Sequence, residues 1–187
     1  LLATNPLRGA SADIVTSFSS AYGLHHAAFD ILGDSVLHRA ISDLFGQNTL
    51  PDFDIANSGL IMSFGADFLS TWLDPIHFSR GYGEFRQGEG RSRGRLIHLD
   101  ARYSSTAAVA DQWVYLNPGS EGLLAMSMIY TIISEGLGDA KVAQQLTGGL
   151  EITDAYKNFK PSAIADSVGI SADQIIKLAR EFANKEN

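Results

Sequence analysis

The chain has no cysteine, and this absence removes disulfides, thiolate zinc sites, cysteine nucleophiles and iron–sulfur ligation from anything these residues do alone. Long apolar runs are missing too. The most hydrophobic stretches, 123–128 and 129–133, carry Ser127 and Thr131 and stop at Ser134, short of the roughly 20 residues a membrane-crossing helix needs. No direct membrane span is expected. No basic start followed by an apolar run marks a secretion signal, and the sequence opens on Leu1 rather than Met, so its start says little about compartment. Positive charge is scarce: 14 Lys and Arg stand against 21 Asp and Glu, a net charge of −7, which argues against nucleic acid as a partner. Six of the fourteen basic residues (Arg80, Arg86, Arg91, Arg93, Arg95, Arg102) crowd one stretch. Solvated loop charge is the plain reading of such a run, with anion binding or partner docking as the alternative.

What is present is enough apolar material, 45% of 187 residues, for one good core. Helical spacing predicts a helix over 12–22, with Ser11 as its cap and Gly23 past its end. A second is expected from 34 to 46, burying Val36, Leu37, Ile41, Leu44 and Phe45 before Gly46 stops it. The run "GLIMSFGAD" reads as a strand buried on both faces of a parallel sheet. Residues 74–87 read as a helix with Pro75 in its first turn, despite Gly81 and Gly83. Arg95 to Leu99 and Gln112 to Leu116 are expected as further strands. After the Asn117–Pro118–Gly119 turn, Ser120 is expected to cap a long apolar helix that Glu121 enters and that runs to about Glu135. The remainder reads as helical, most clearly over 171–183, where Ser171 caps and Ile175, Ile176, Leu178, Ala179 and Phe182 form a stripe.

Strands alternating with helices predict a single α/β domain over 1–187: a parallel sheet flanked by helices, Rossmann-like, with a helical C-terminal part. Ligands of such sheets collect at the carboxyl ends of the strands. That places the turns at Gly65 to Asp67, Asp100 to Arg102 and Asn117 to Glu121 on one edge. Singly, each has a plain structural use: Gly65 turns the chain, Asp100 caps or pairs with Arg102, and Glu121 complements its helix dipole. Three such turns on one edge make a dinucleotide site the expectation. No G-x-G-x-x-G follows a strand, and Gly81, Gly83 and Gly88 have the wrong spacing, which argues against a nicotinamide domain. P-loop and H-E-x-x-H motifs are absent from the sequence, and its one G-x-S-x-G spacing, Gly90 to Gly94, leads into a strand rather than out of one and so makes no nucleophile elbow; the histidines lack ligand spacing, so neither a catalytic residue nor a metal ligand is expected.

The order strand, Gly65-Ala66-Asp67, helix, Arg-Gly-Arg, strand ending Leu-Asp100-Ala-Arg102, Ser-Ser-Thr, Ala-Asp-Gln-Trp, strand, Pro118-Gly119-Ser-Glu121 and apolar helix resembles a central domain of the molybdopterin oxidoreductases, the dimethyl sulfoxide reductase family, over about residues 60–183. That family usually shows Gly-x-Asn, Asp-Pro-Arg and Pro-Gly-Thr-Asp at these turns, which hold the guanine dinucleotide end of a molybdopterin cofactor. The resemblance implies cofactor-binding roles for Gly65, Ala66, Asp67, Asp100, Arg102, Pro118, Gly119 and Glu121, with Glu121 where the family's acid meets guanine N1 and N2. Ala101 replaces the usual proline and Asp67 the usual asparagine. "SFGADFLSTWLDPIHFSRGYGEFRQG" further resembles the molybdopterin-like subunit of alternative complex III, a quinol-oxidising assembly, in which the fold is kept and the molybdenum cofactor lost.

Two functions follow as expectations. In one, the chain is a domain excised from a larger oxidoreductase and positions molybdopterin guanine dinucleotide while the metal does the chemistry. In the other, it is a cofactor-free scaffold of a respiratory complex, with the remaining parent domains, iron–sulfur subunits and membrane-anchor subunits as partners, on the periplasmic side of a bacterial inner membrane. A free-standing nucleotide-binding protein is the alternative from another class. Asp67 discriminates between the first two. A carboxylate at the helix terminus after the first strand would repel a diphosphate placed there, which favours the scaffold; the alternative is that Asp67 points away and caps its own helix while the dinucleotide binds past it.

Overall fold

The structure, a computed structural model, describes residues 1–7, 9–29, 35–47, 49–87, 93–146, 148 and 156–184. The chain divides into two compact units, Leu1–Asp52 and Phe53–Asn187.

In the first unit, β1 (Leu2–Thr4) pairs in parallel with β2 (His26–Ala28), with α1 (Ala10–Ala21) between them in sequence. The expected cap at Ser11 is corrected: Ser11 lies inside α1, whose N-cap is Gly9 at φ 58. Few L residues adopt that backbone, and the Gly9 carbonyl accepts the N–H groups of Ala12 and Asp13. Helix α2 (Ser35–Phe45) ends as expected at a left-handed Gly46, φ 65, whose N–H reaches the Ser42 carbonyl. Its apolar stripe is not buried, however: Val36 and Leu44 are 81% and 75% exposed, and Leu37 and Ile41 are half-buried. Helical period reports that a helix forms; it does not report what covers the apolar side.

In the second unit, β3 (Leu60–Phe64), β4 (Arg95–Leu99) and β5 (Gln112–Val114) form a parallel sheet in the order β3-β4-β5. Leu60 to Phe64 register with Arg95 to Leu99, and Ile97 to Leu99 with Gln112 to Val114. The central strand is buried from Leu96 to Leu99, His98 included, whereas β3, expected to be buried on both faces, is an edge strand that is only half-buried apart from Ser63. Leu96 packs with Phe68 and with Phe78 and Phe85 of α3 (Pro75–Gln87). On the other face Ile97 and Leu99 join Leu124 and Met128 of α5 (Glu121–Ser134). Ile164 and Val168 of α7 (Pro161–Val168) and Ile175, Leu178 and Ala179 of α8 (Ala172–Ala183) complete that core. Ser171 caps α8 as expected, accepting the Gln174 N–H at 3.2 Å, while Phe182 of the expected stripe stays largely exposed. A five-residue helix not foreseen in the sequence, α4 (Ser105–Val109), stands between β4 and β5, and α6 (Ala140–Leu146) follows α5. This is an α/β fold, a parallel sheet flanked by helices, consistent with a Rossmann-like architecture.

Candidate functional site

Because β3, β4 and β5 run parallel, the turns that follow them share one edge of the sheet. The Gly65 N–H donates to the Leu99 carbonyl at 2.8 Å and the Asp100 N–H to the Val114 carbonyl at 3.2 Å, so the first two turns are stitched across the edge. Gly65 has φ 65, and a Cβ built there would stand 3.9 Å from Cγ and Oε1 of Glu121. The first turn and the acid of the third are therefore neighbours. Gly119, at φ 79, meets nothing within 4 Å of a Cβ position, and with Pro118 it is exposed.

The third turn is fixed from behind. Asn117 donates its N–H to the Val168 carbonyl at 2.8 Å and its Nδ2 to the carbonyls of Asp166 and Ser167 at 3.3 and 3.1 Å, closing the end of α7. Those carbonyls have no partner within their own helix. Ser120 does not cap α5 as expected: its hydroxyl donates to the Asn117 carbonyl at 2.6 Å, and its side chain makes no cap hydrogen bond. Glu121, half-buried, opens the helix.

Asp67 is placed otherwise than expected. No helix starts directly after Gly65; residues 66–73 make turns, with the N–H groups of Ser70 and Thr71 on the Asp67 carbonyl, and α3 begins only at Pro75. The Asp67 carboxylate, 5% exposed, turns to the start of α4 instead. Its Oδ1 accepts the Thr106 N–H at 3.1 Å and the Thr106 hydroxyl at 2.7 Å, and its Oδ2 lies 3.2 Å from an Nη2 of Arg102. Burial alone would raise its pKa; the two Thr106 hydrogen bonds and the Arg102 charge outweigh it, and the pKa is lowered. Asp67 thus remains an anion that already has its counter-ion.

Asp100 holds the same arginine by its main chain: its Oδ1 accepts the Arg102 N–H at 2.9 Å. Its own carbonyl accepts Trp113 Nε1–H at 3.1 Å. Behind it lies His98, fully buried on β4, with Nε2 3.3 Å from Asp100 Oδ2 and 3.2 Å from Ser104 Oγ. Burial pushes the imidazole pKa down, against the pull of Asp100. Serine, histidine and acid share one corner, but both partners address the same ring nitrogen. A hydrolytic triad needs the acid on the opposite nitrogen, and Ser104 Oγ is already the acceptor for the Ala107 N–H at 3.2 Å, the cap of α4. The geometry is that of a structural knot.

His98, Ser104 and Thr106 were missed from sequence because their partners come together only through the turn into α4. The one available signal was Ser104, three residues before an amide it caps. The arginine run, by contrast, is largely spent internally. Arg86 forms a two-pronged pair with Asp111 and donates to the Gly94 carbonyl, while Arg95 meets Glu181 and Gln112. Arg80 and Arg93 are exposed, and Arg91 lies outside the described residues. Among the described residues no group of three or more His, Asp or Glu could hold a metal ion, and no helix is long and apolar enough to cross a membrane.

No family model matches the chain. Individual proteins do. A probable dimethyl sulfoxide reductase chain, YnfF, of Escherichia coli (strain K12) is 29% identical over 190 residues, covering 89% of this chain and 22% of its own length. A menaquinone reductase, molybdopterin-binding-like subunit, of Nitratidesulfovibrio vulgaris is 22% identical over 78% of this chain and 20% of its own. Among solved structures, acetylene hydratase from Pelobacter acetylenicus superposes with a TM-score of 0.55 at 26% identity, over 70% of this chain and 17% of that one. The chain spans about a fifth of the length of the curated relatives it matches. With the parallel sheet and its three turns in place, these likenesses assign the chain to the molybdopterin oxidoreductases, the dimethyl sulfoxide reductase family.

Proposed function

We propose that this segment is the part of a molybdopterin oxidoreductase that receives the guanine dinucleotide end of the cofactor at the carboxyl edge of its sheet. The observation that carries the reading is the approach of Gly65 to Glu121, 3.9 Å from a Cβ position to Oε1. It brings a backbone free of side chain beside a carboxylate at the mouth of the edge. The acceptor pair fits the base: a carboxylate accepts two hydrogen bonds side by side, which matches guanine N1–H and N2–H. Gly65, Ala66, Pro118 and Gly119 line the approach, with Arg102, already paired with Asp67, beside it. When bound, the cofactor supplies the redox chemistry of its metal; the residues here bind and orient. The remaining parent domains, iron–sulfur subunits and a membrane anchor would complete the enzyme, on the periplasmic side of a bacterial inner membrane.

The test is guanosine diphosphate against adenosine diphosphate, titrated into the chain by calorimetry or ¹⁵N NMR. A charged hydrogen-bond pair contributes about 2 kcal/mol, so guanosine diphosphate should bind at least about tenfold tighter. Glu121→Gln should erase that preference, since its amide cannot accept from both guanine donors. Equal binding of the two nucleotides sinks the reading.

A second reading has its own support. Asp67, Asp100 and Glu121 set three negative charges against Arg102 at this edge, and one relative is named a molybdopterin-binding-like subunit. The fold would then be a retained scaffold in a quinol-oxidising complex related to alternative complex III. Metal analysis of the full-length parent decides between the two: near-stoichiometric molybdenum or tungsten, with guanine nucleotide released on denaturation, removes the scaffold.

A further inference from the structure

The side chain of Arg102 is 65% exposed at the carboxyl edge, where a ligand's phosphates would approach, yet its guanidinium rests on a carboxylate that is almost fully buried. The asymmetry matters. Asp67 cannot follow a departing Arg102, because its Oδ1 is held by the backbone and hydroxyl of Thr106 at the start of α4. The Arg102 main chain beside it is fixed as well, its N–H donating to Asp100 Oδ1 at 2.9 Å. The two acids thus grip the residue at both ends.

We propose that Asp67 is a specificity residue: it holds Arg102 as an internal counter-ion and so withholds the arginine from the phosphates of a bound nucleotide. This rests on the reading that the edge meets a nucleotide. A diphosphate reaching Arg102 competes with a fixed anion already in place, so the phosphates contribute little and recognition falls to the base, at Glu121. The chain then prefers ligands by their base rather than by their charge. Replacing Asp67 by its uncharged isostere leaves an oxygen to accept from Thr106 and frees the guanidinium.

The probe is inorganic pyrophosphate, titrated into the chain at low salt by calorimetry. Asp67→Asn should raise its affinity about tenfold, the scale of one charge-assisted hydrogen bond, and the double variant Asp67→Asn/Arg102→Gln should lose the gain. An Asp67→Asn chain that binds pyrophosphate no better than the unaltered one, or that does not bind it, overturns the proposal; so does a gain that survives loss of Arg102. If Asp67→Asn does not fold, as judged by circular dichroism, the unaltered chain decides the question. Its Arg102 side-chain ¹⁵N resonances should stay in place as pyrophosphate is added, and a saturable shift there overturns the idea. The guanosine-over-adenosine preference at Glu121 tests the underlying reading separately: a pyrophosphate gain without base preference refutes the nucleotide site and leaves the masked arginine standing.

Discussion

A carboxylate that accepts three hydrogen-bond donors gives up much of what they contribute when it takes up a proton. Asp67 is such a group, with a folded pKa lowered below its ordinary value. Its contribution is full above the unfolded carboxylate pKa, near pH 4, and is lost as pH falls through the folded value. His98 acts earlier and in the same direction. Its pKa is depressed, chiefly by burial, so the unfolded chain binds its proton first, and stability declines as pH drops below about 6.5 towards the folded value. Urea unfolding at a series of pH values should therefore show the midpoint falling as pH drops below about 6.5, with a shallower slope in His98→Gln. An unchanged slope in the variant would assign that window to another group. Asp67→Ala strips the donor pair of Thr106 and the partner of Arg102 together, and should cost about 2 kcal/mol, the scale of a lost helix cap plus an unmet buried donor. Denaturant titration at neutral pH measures it.

At the scale of elements, the strands were legible because burial leaves a plain mark. β4 has the expected bounds and the β3 run ends at its glycine, whereas β5 stops at Val114, two residues short of the expected Leu116. The short pieces were not legible. β2 is a three-residue exposed strand of His and Ala, without alternation to reveal it, and α4 is only five residues long, too short for an apolar stripe. Missing α4 had a consequence at the site. With no helix start to satisfy there, Asp67 was expected to stand before the ligand, whereas its carboxylate serves α4. Close packing around the strands also predicts two glycine effects. Gly94 precedes β4, and a Cβ there would lie 2.0 Å from the buried Phe85 ring; Gly94→Ala should cost about 3 kcal/mol by overpacking. Gly169, at φ 87, faces the Asn117 side chain, which would meet a Cβ at 2.8 Å. Gly169→Ala should cost about 2 kcal/mol through backbone strain alone, and it should weaken guanosine diphosphate binding as well, since Asn117 holds the Pro118–Gly119 turn. A loss of stability with nucleotide affinity unchanged would show that the turn does not depend on that cap.

At the scale of the whole chain, burial is distributed unevenly between the two units. Among the described residues, the buried hydrophobic side chains, from Phe68 to Ala179, all belong to Phe53–Asn187. Among the described residues of Leu1–Asp52 only Ser19 is buried, and its two helices keep Ile14, Val36, Leu44 and Phe45 in the open. Apolar burial is the dominant favourable term in folding, so a unit that lacks it has little to set against its conformational entropy. Residues 53–187 expressed alone should therefore unfold cooperatively, with a midpoint within a few degrees of the full chain, and should keep the base preference assigned to Glu121, because every residue of the candidate edge lies within them. Residues 1–52 alone should show no cooperative transition by calorimetry. The decisive outcome is the reverse one. If 53–187 aggregates or melts gradually while the full chain melts sharply, the first unit is needed for the cooperative fold after all.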